Sequence, residues 1–159
     1  MNLMTRLLRS GLIAVALWIG ASSVQADEAL LTVQVGETEH RFTLAQLELL
    51  PVTSFETSTI WTVGSHRFTG VSLADLAAHL GIVTGELLAT AINDYHITIP
   101  LEDAVTPGPI IAYEIDGEPM PRREKGPLWI VYPYDMIPAY QTETIYSRSI
   151  WQLVRLDVQ

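Results

Sequence analysis

Between Leu30 and Val35 apolar and polar positions alternate, the two-residue period of a strand that buries one face. A second short strand is predicted over Glu39–Phe42, across the turn signal Gly36-Glu37-Thr38. The period then changes. Thr43-Leu44-Ala45-Gln46 matches a capping box, and Pro51 halts the short helix that follows it. Ser72-Leu73-Ala74-Asp75 opens another helix, with Leu73, Leu76, Ala77 and Leu80 on one face and Gly81 as its stop. From Leu87 the pattern predicts strands again: Leu87–Ile92, then Tyr95–Ile99 after a break at Asn93-Asp94. Ile110–Ile115 follows the firm loop Pro107-Gly108-Pro109 and closes on the hairpin dipeptide Asp116-Gly117. Leu128–Tyr132 and Ile150–Val158 supply the last strands. Mostly strands with two or three short helices between them, and no repeat or linker, predict a single α+β domain.

The apolar run Gly11–Ala21 fits none of these elements. Arg6 and Arg9 precede it and Val24-Gln25-Ala26 follows, the layout of a signal peptide cleaved after Ala26. An uncleaved anchor ranks second, because the run is shorter than the ~20 residues a spanning helix needs. The expected division is a leader over 1–26 and a domain over 27–159, long enough to bury a core. Arg6 and Arg9 are not adjacent, so no twin-arginine signal is present and export in the unfolded state to the periplasm is expected. A ligand would then be collected outside the cytoplasm.

Of the nine basic residues two lie in the leader, as do none of the eighteen acidic ones, which leaves the domain at −11. That balance argues against nucleic acid and anionic lipid as partners. The chain has no cysteine, which removes thiolate metal sites, thiol nucleophiles and disulfides. His40, His66, His79 and His96 have no metal-ligand spacing, and a surface or hydrogen-bonded histidine is the simpler reading of each.

Large rings are abundant: Trp61, Trp129, Trp151, Tyr95, Tyr113, Tyr132 and Tyr134. Core packing is the default role of any one of them. Trp129 and Tyr132 nonetheless fall on opposite faces of one strand, so at least one of them faces away from the core or into a second layer. A planar heteroaromatic ligand would stack on such rings, each worth about 1–3 kcal/mol by analogy with base stacking. Asp94, Asp135 and Glu124 are candidates to accept paired N–H groups from such a ligand, although Asn93-Asp94 also reads as a plain turn. The loop Arg122-Arg123-Glu124-Lys125 is either a solvated hairpin tip or an anion contact.

Three segments, taken in order, resemble the sulfite-oxidase-type molybdopterin-binding domain. They are Phe68-Thr69-Gly70-Val71-Ser72-Leu73-Ala74-Asp75-Leu76, then Asn93-Asp94-Tyr95 through Ile99-Pro100-Leu101-Glu102-Asp103-Ala104, and Ala112-Tyr113-Glu114-Ile115-Asp116-Gly117-Glu118-Pro119-Met120-Pro121. Gly126-Pro127-Leu128 to Pro133 and Ile150–Val158 continue the likeness, which spans nearly the whole domain. The resemblance implies a pterin-sized pocket and, in the enzymes, a cysteine that ligates molybdenum. The region corresponding to that cysteine, Ser54–Trp61, offers only Ser54, Thr57, Ser58 and Thr59 as small polar residues. A neutral hydroxyl is a poor substitute for a soft thiolate. Glu124 stands where the enzymes place a histidine, Trp129 where they place an arginine, and Trp151 where they place a lysine. Stacking surfaces therefore replace the groups that hold the cofactor's phosphate, although Arg122, Arg123, Lys125 or Arg148 remain available to an anion.

The expectation is a non-catalytic binder of a pterin or molybdopterin-like small heteroaromatic molecule, without molybdenum. Its expected ligand-binding residues are Trp61, Asn93, Asp94, Tyr95, Lys125, Trp129, Tyr132, Asp135, Arg148 and Trp151. Small cysteine-less chains of this kind resemble pterin-binding partners of inner-membrane sensors in cyclic-di-GMP signalling, so such a partner is implied by resemblance. The alternative is a molybdopterin-dependent oxidoreductase that lacks the protein thiolate.

Overall fold

A computed structural model describes residues 28–159; the leader expected over 1–26 lies outside them. In chain order the elements are β1 Leu31–Val35, β2 Thr38–Phe42, α1 Leu44–Glu48, β3 Val52–Ser58, β4 Ser65–Ser72, α2 Leu73–Leu80, β5 Glu86–Ala91 and β6 His96–Pro100. Then come β7 Ile110–Ile115, β8 Glu118–Pro119, β9 Trp129–Val131, α3 Glu143–Arg148 and β10 Leu153–Val158. Single-turn 3₁₀ segments lie at Leu101–Asp103 and Pro138–Tyr140. The architecture is α+β, as predicted.

The strands form two sheets. One runs β2-β1-β10-β5-β6, with β10 parallel to β1 and every other pairing antiparallel. The other runs β3-β4-β7, and β8 and β9 pair with different lengths of β7. Leu31, Val33, Leu87, Ala89 and Leu156 from the first sheet and Phe68, Val71, Ile111 and Ile130 from the second belong to one buried cluster.

The caps read from the sequence are present. Thr43 Oγ1 accepts the Gln46 N–H at 3.3 Å, and Gln46 Oε1 accepts the Thr43 N–H at 2.9 Å, which closes the box on α1. Ser72 Oγ accepts the Asp75 N–H at 2.9 Å, and Gly81 ends α2 at φ 68°. Asp116 and Gly117 both take positive φ, 53° and 83°, as the tight turn between β7 and β8 demands.

One departure from the predicted elements shapes the site. The last strand is shorter than Ile150–Val158, because Ile150–Gln152 leaves the first sheet to meet the second. Trp151 forms an isolated antiparallel bridge with Trp129, the Ile130 N–H donates to the Ile150 carbonyl at 2.9 Å, and the Leu153 N–H donates to the Leu128 carbonyl at 3.0 Å. The two sheets are stitched together here, and the rings gather at the stitch.

Candidate functional site

The loop between β3 and β4 carries Trp61. Thr59 Oγ1 accepts the Trp61 N–H at 3.2 Å and shares a 2.8 Å hydrogen bond with Thr62 Oγ1, a short polar turn that fixes the loop. The half-buried Trp61 ring meets Trp151, Tyr146 and Trp129 edge to face, with centroids at 5.5, 5.8 and 5.9 Å. Edge-to-face pairs add about 0.5–1.5 kcal/mol each beyond the area they bury. Tyr146 comes from α3, whose first turn is capped by Thr142 Oγ1 accepting the Ile145 N–H at 3.3 Å.

Trp61, Trp151, Tyr146 and Tyr95 wall a cavity of about 430 Å³, and Asn93, Ser147 and Ser149 add polar groups. The volume lies within the range of about 300–1,000 Å³ of small-molecule sites. None of the residues lining it carries a formal charge. A second hollow of about 370 Å³ shares the Trp61 wall and is bordered by Lys125, Glu124, Met120 and Trp129. Lys125 Nζ lies 5.0 Å from the Trp151 ring centroid and 5.4 Å from that of Trp129, within cation–π range. Gln152 holds the Lys125 loop in place: at φ 52° its N–H donates to the Lys125 carbonyl at 3.0 Å, and its Nε2 donates to Arg122 O at 2.6 Å.

Trp61, Asn93, Tyr95 and Trp151, four of the ten expected ligand-binding residues, therefore meet around one cavity. Lys125 and Trp129 border the adjoining hollow. Trp129 is wholly buried and its Nε1 donates to the Ser149 carbonyl at 3.1 Å, so it supports the other rings from beneath and presents no open face.

The remaining four lie elsewhere, each for a physical reason. Tyr132 is wholly buried, and its hydroxyl donates to Asp103 Oδ2 at 2.7 Å. Arg148 donates to the same oxygen at 2.9 Å, an ion pair that withdraws its guanidinium from any ligand. Asp135 accepts the Ser58 N–H at 2.6 Å and the Ser58 hydroxyl at 2.7 Å, which occupies both carboxylate oxygens. Asp94 stands exposed at φ 64° in the β5–β6 turn, beside Asn93 Oδ1 accepting the Tyr95 N–H at 3.3 Å. The plain turn is what forms there. Trp129 and Tyr132 do face different layers: Trp129 meets Phe68 and Trp61, and Tyr132 meets Tyr134 and Tyr140.

Besides the buried Ala91 and Ile150, three polar lining residues were not among the expected ones: Tyr146, Ser147 and Ser149. They sit in and just after a six-residue helix, too short to show a period, and only Thr142 hints at its start. Tyr134 lies behind them with its hydroxyl against that of Ser149. Burial pushes the Tyr134 phenol up to about 12 and raises that of Tyr132 still more. Both are neutral packing groups, unsuited to proton transfer near neutral pH.

The residues at this place do not fit a thiolate-anchored metal. The chain has no cysteine, and the four small hydroxyls between Ser54 and Trp61 are all engaged. Ser54 Oγ pairs with Thr69 Oγ1 at 3.1 Å, Thr57 is buried with its Oγ1 accepting the Asp135 N–H at 3.1 Å, and Ser58 and Thr59 hold the partners described above. Among the described residues no three His, Asp or Glu side chains converge in a way that would hold an ion. A planar ring system does fit the chemistry of the lining: aromatic walls, the Asn93 amide and the exposed Ser147 hydroxyl.

A solved structure with a similar fold is the sulfane dehydrogenase SoxCD from Paracoccus pantotrophus, with a TM-score of 0.59 and 18% sequence identity over 80% of this chain and 37% of that one. That identity speaks for the fold alone, and the chain spans little more than a third of the length of that protein. A search among curated proteins returns no match. The family model of the oxidoreductase molybdopterin binding domain matches residues 20–137, from before β1 to beyond β9. This chain, with its two stitched sheets and cysteine-free site, belongs to the oxidoreductase molybdopterin-binding domain family.

Proposed function

We propose that the protein is a periplasmic binder of a pterin or a closely related planar heteroaromatic molecule, without catalysis and without molybdenum. The observation that carries the reading is the cavity walled by Trp61, Tyr95, Tyr146 and Trp151, beside a loop whose hydroxyls are all engaged. The exposed Trp151 ring offers stacking worth about 1–3 kcal/mol per base-like ring. Asn93 presents an amide that both donates and accepts, which suits the alternating donor and acceptor edge of a pterin. The basic and apolar run before Ala26 supports export, and the family resemblance supports an inner-membrane sensor in cyclic-di-GMP signalling as the recipient of the binding signal.

Titration of the intact protein with reduced pterins, followed by tryptophan emission, tests the reading. Trp61 and Trp151 line the cavity, so occupancy alters their emission; unchanged emission up to high micromolar ligand would sink it. The family membership itself favours a second reading, a molybdopterin-dependent oxidoreductase without a protein thiolate. Stoichiometric molybdenum in protein taken from its native compartment would establish that reading instead.

A further inference from the structure

Charge is absent from the walls of the main cavity, and two of the arginines expected to meet an anion, Arg122 and Arg148, are paired elsewhere. Its polar lining consists of the Asn93 amide, the phenols of Tyr95 and Tyr146 and the hydroxyls of Ser147 and Ser149, all neutral groups. Arg148, flanked in sequence by two of these residues, points away to Asp103 at 2.9 Å. Arg122 pairs with Glu28 at 3.0 Å. Lys125 lies in the adjoining hollow with Glu124, its ammonium over the Trp129 and Trp151 rings. A phosphate or carboxylate held against these walls would give up part of its water and find no ion partner among the lining residues, and lost hydration of a charge is costly where no partner replaces it. The field of the whole chain, formally −9, adds repulsion of anions.

From this arrangement we infer that the site selects an uncharged ligand: a planar heteroaromatic ring with a neutral, hydroxyl-bearing substituent and no phosphate or carboxylate. The inference rests on the proposed pterin binding and narrows it. Asn93 meets the edge of the ring, and Ser147 Oγ, whose own proton goes to the Thr144 carbonyl at 2.7 Å, can accept from a hydroxyl of the substituent. An anionic substituent has to turn out to solvent or leave.

The test compares dihydroneopterin with its phosphate monoester by calorimetry on the intact protein at low salt. The ester is expected to bind roughly tenfold more weakly, and the gap to narrow as salt screens the acidic field. An ester that binds as tightly as the neutral compound, or more tightly, overturns the inference and leaves pterin binding standing. If neither compound binds, pterin binding fails and the inference falls with it. A second arm places a cation at the wall: Ser147→Arg, at an exposed helix position, is expected to bring the ester to parity or better. An unchanged preference in that variant, folded as judged by circular dichroism, would show that lining charge does not set the selectivity.

Discussion

Asp103 and Arg148 form an ion pair of 2.9 Å that ties the 3₁₀ turn after β6 to the last residue of α3. The Tyr132 hydroxyl donates to the same carboxylate oxygen at 2.7 Å, so one acid joins α3, the end of the first sheet and the chain leaving β9. Both partners are mostly shielded, with side-chain exposures of 14% for Asp103 and 21% for Arg148. A six-residue helix has little stability of its own, so this clamp together with the Thr142 cap keeps Tyr146 and Ser147 against the cavity.

Arg148→Ala is therefore expected to lower stability by roughly 2–3 kcal/mol, because it leaves a shielded carboxylate with one partner instead of two. Asp103→Ala is expected to cost more, since it orphans both the guanidinium and the Tyr132 hydroxyl. Urea denaturation of the two variants measures this. A wild-type midpoint for Arg148→Ala would remove the clamp from the account of the site.

Trp129 and Trp151 are expected to separate stability from binding. Trp129→Ala empties a fully buried site and is expected to cost about 3–5 kcal/mol. Trp151, 36% exposed, is expected to cost about 1–2 kcal/mol on truncation while abolishing the emission response to pterin. Thermal denaturation and ligand titration on the same two proteins give the answer. Equal stability losses, or full pterin affinity in Trp151→Ala, would contradict it.

Gly70 sits where β4 shifts register against β7, and a Cβ there would land on the Ile111 carbonyl oxygen and the Ala112 Cα. Backbone cannot yield as a flexible side chain does. Gly70→Ala is expected to cost about 3 kcal/mol or more, visible as a large fall in melting temperature. A tolerated alanine would mean that the two strands part easily.

His66 and Asp116 set a pH dependence. His66 Nδ1 lies 2.6 Å from Asp116 Oδ2, and its Nε2 lies 3.0 Å from the Val63 carbonyl, so both ring nitrogens face acceptors. The hydrogen bond to Asp116 raises the imidazole above 6.5, against a small opposing effect of burial, and Val63 raises it further. That contribution is complete below pH 6.5 and is lost as pH rises through the elevated value. His66, with the Arg67 amide next, holds the Asp116 carboxyl below 3.8, so its share is present above pH 3.8 and is lost as pH falls through the lowered value. The pair thus stabilises most between these limits, by a small amount because both groups are solvent-accessible. Denaturation midpoints against pH should show a decline toward alkaline pH that His66→Gln lacks. Parallel profiles for the two proteins would refute the coupling.

How far the sequence disclosed this molecule depends on where each structural cause lies along the chain. The caps of α1 and α2 and the Asp116-Gly117 turn are local, with partners at most three residues apart, and they are legible. β3 is harder to read, since Val52–Ser58 is an edge strand with only Thr57 fully buried and shows no alternation of apolar and polar positions. The site divides in the same way. Trp61, Asn93, Tyr95 and Trp151 come together around one cavity. Tyr132 and Arg148 do not, because their common partner Asp103 lies 29 and 45 residues away and no local pattern announces it.

The position of β10 makes the first sheet assemble all at once. It lies in the middle of the first sheet, with β1 on one edge and β5 on the other, and its start is stitched to β9 in the second. Without Leu153–Val158 in place, β1–β2 and β5–β6 are two hairpins without a common neighbour. Isolated hairpins are at best marginally stable in water. The first sheet therefore locks only when β10 docks, and the tryptophan site closes in the same event.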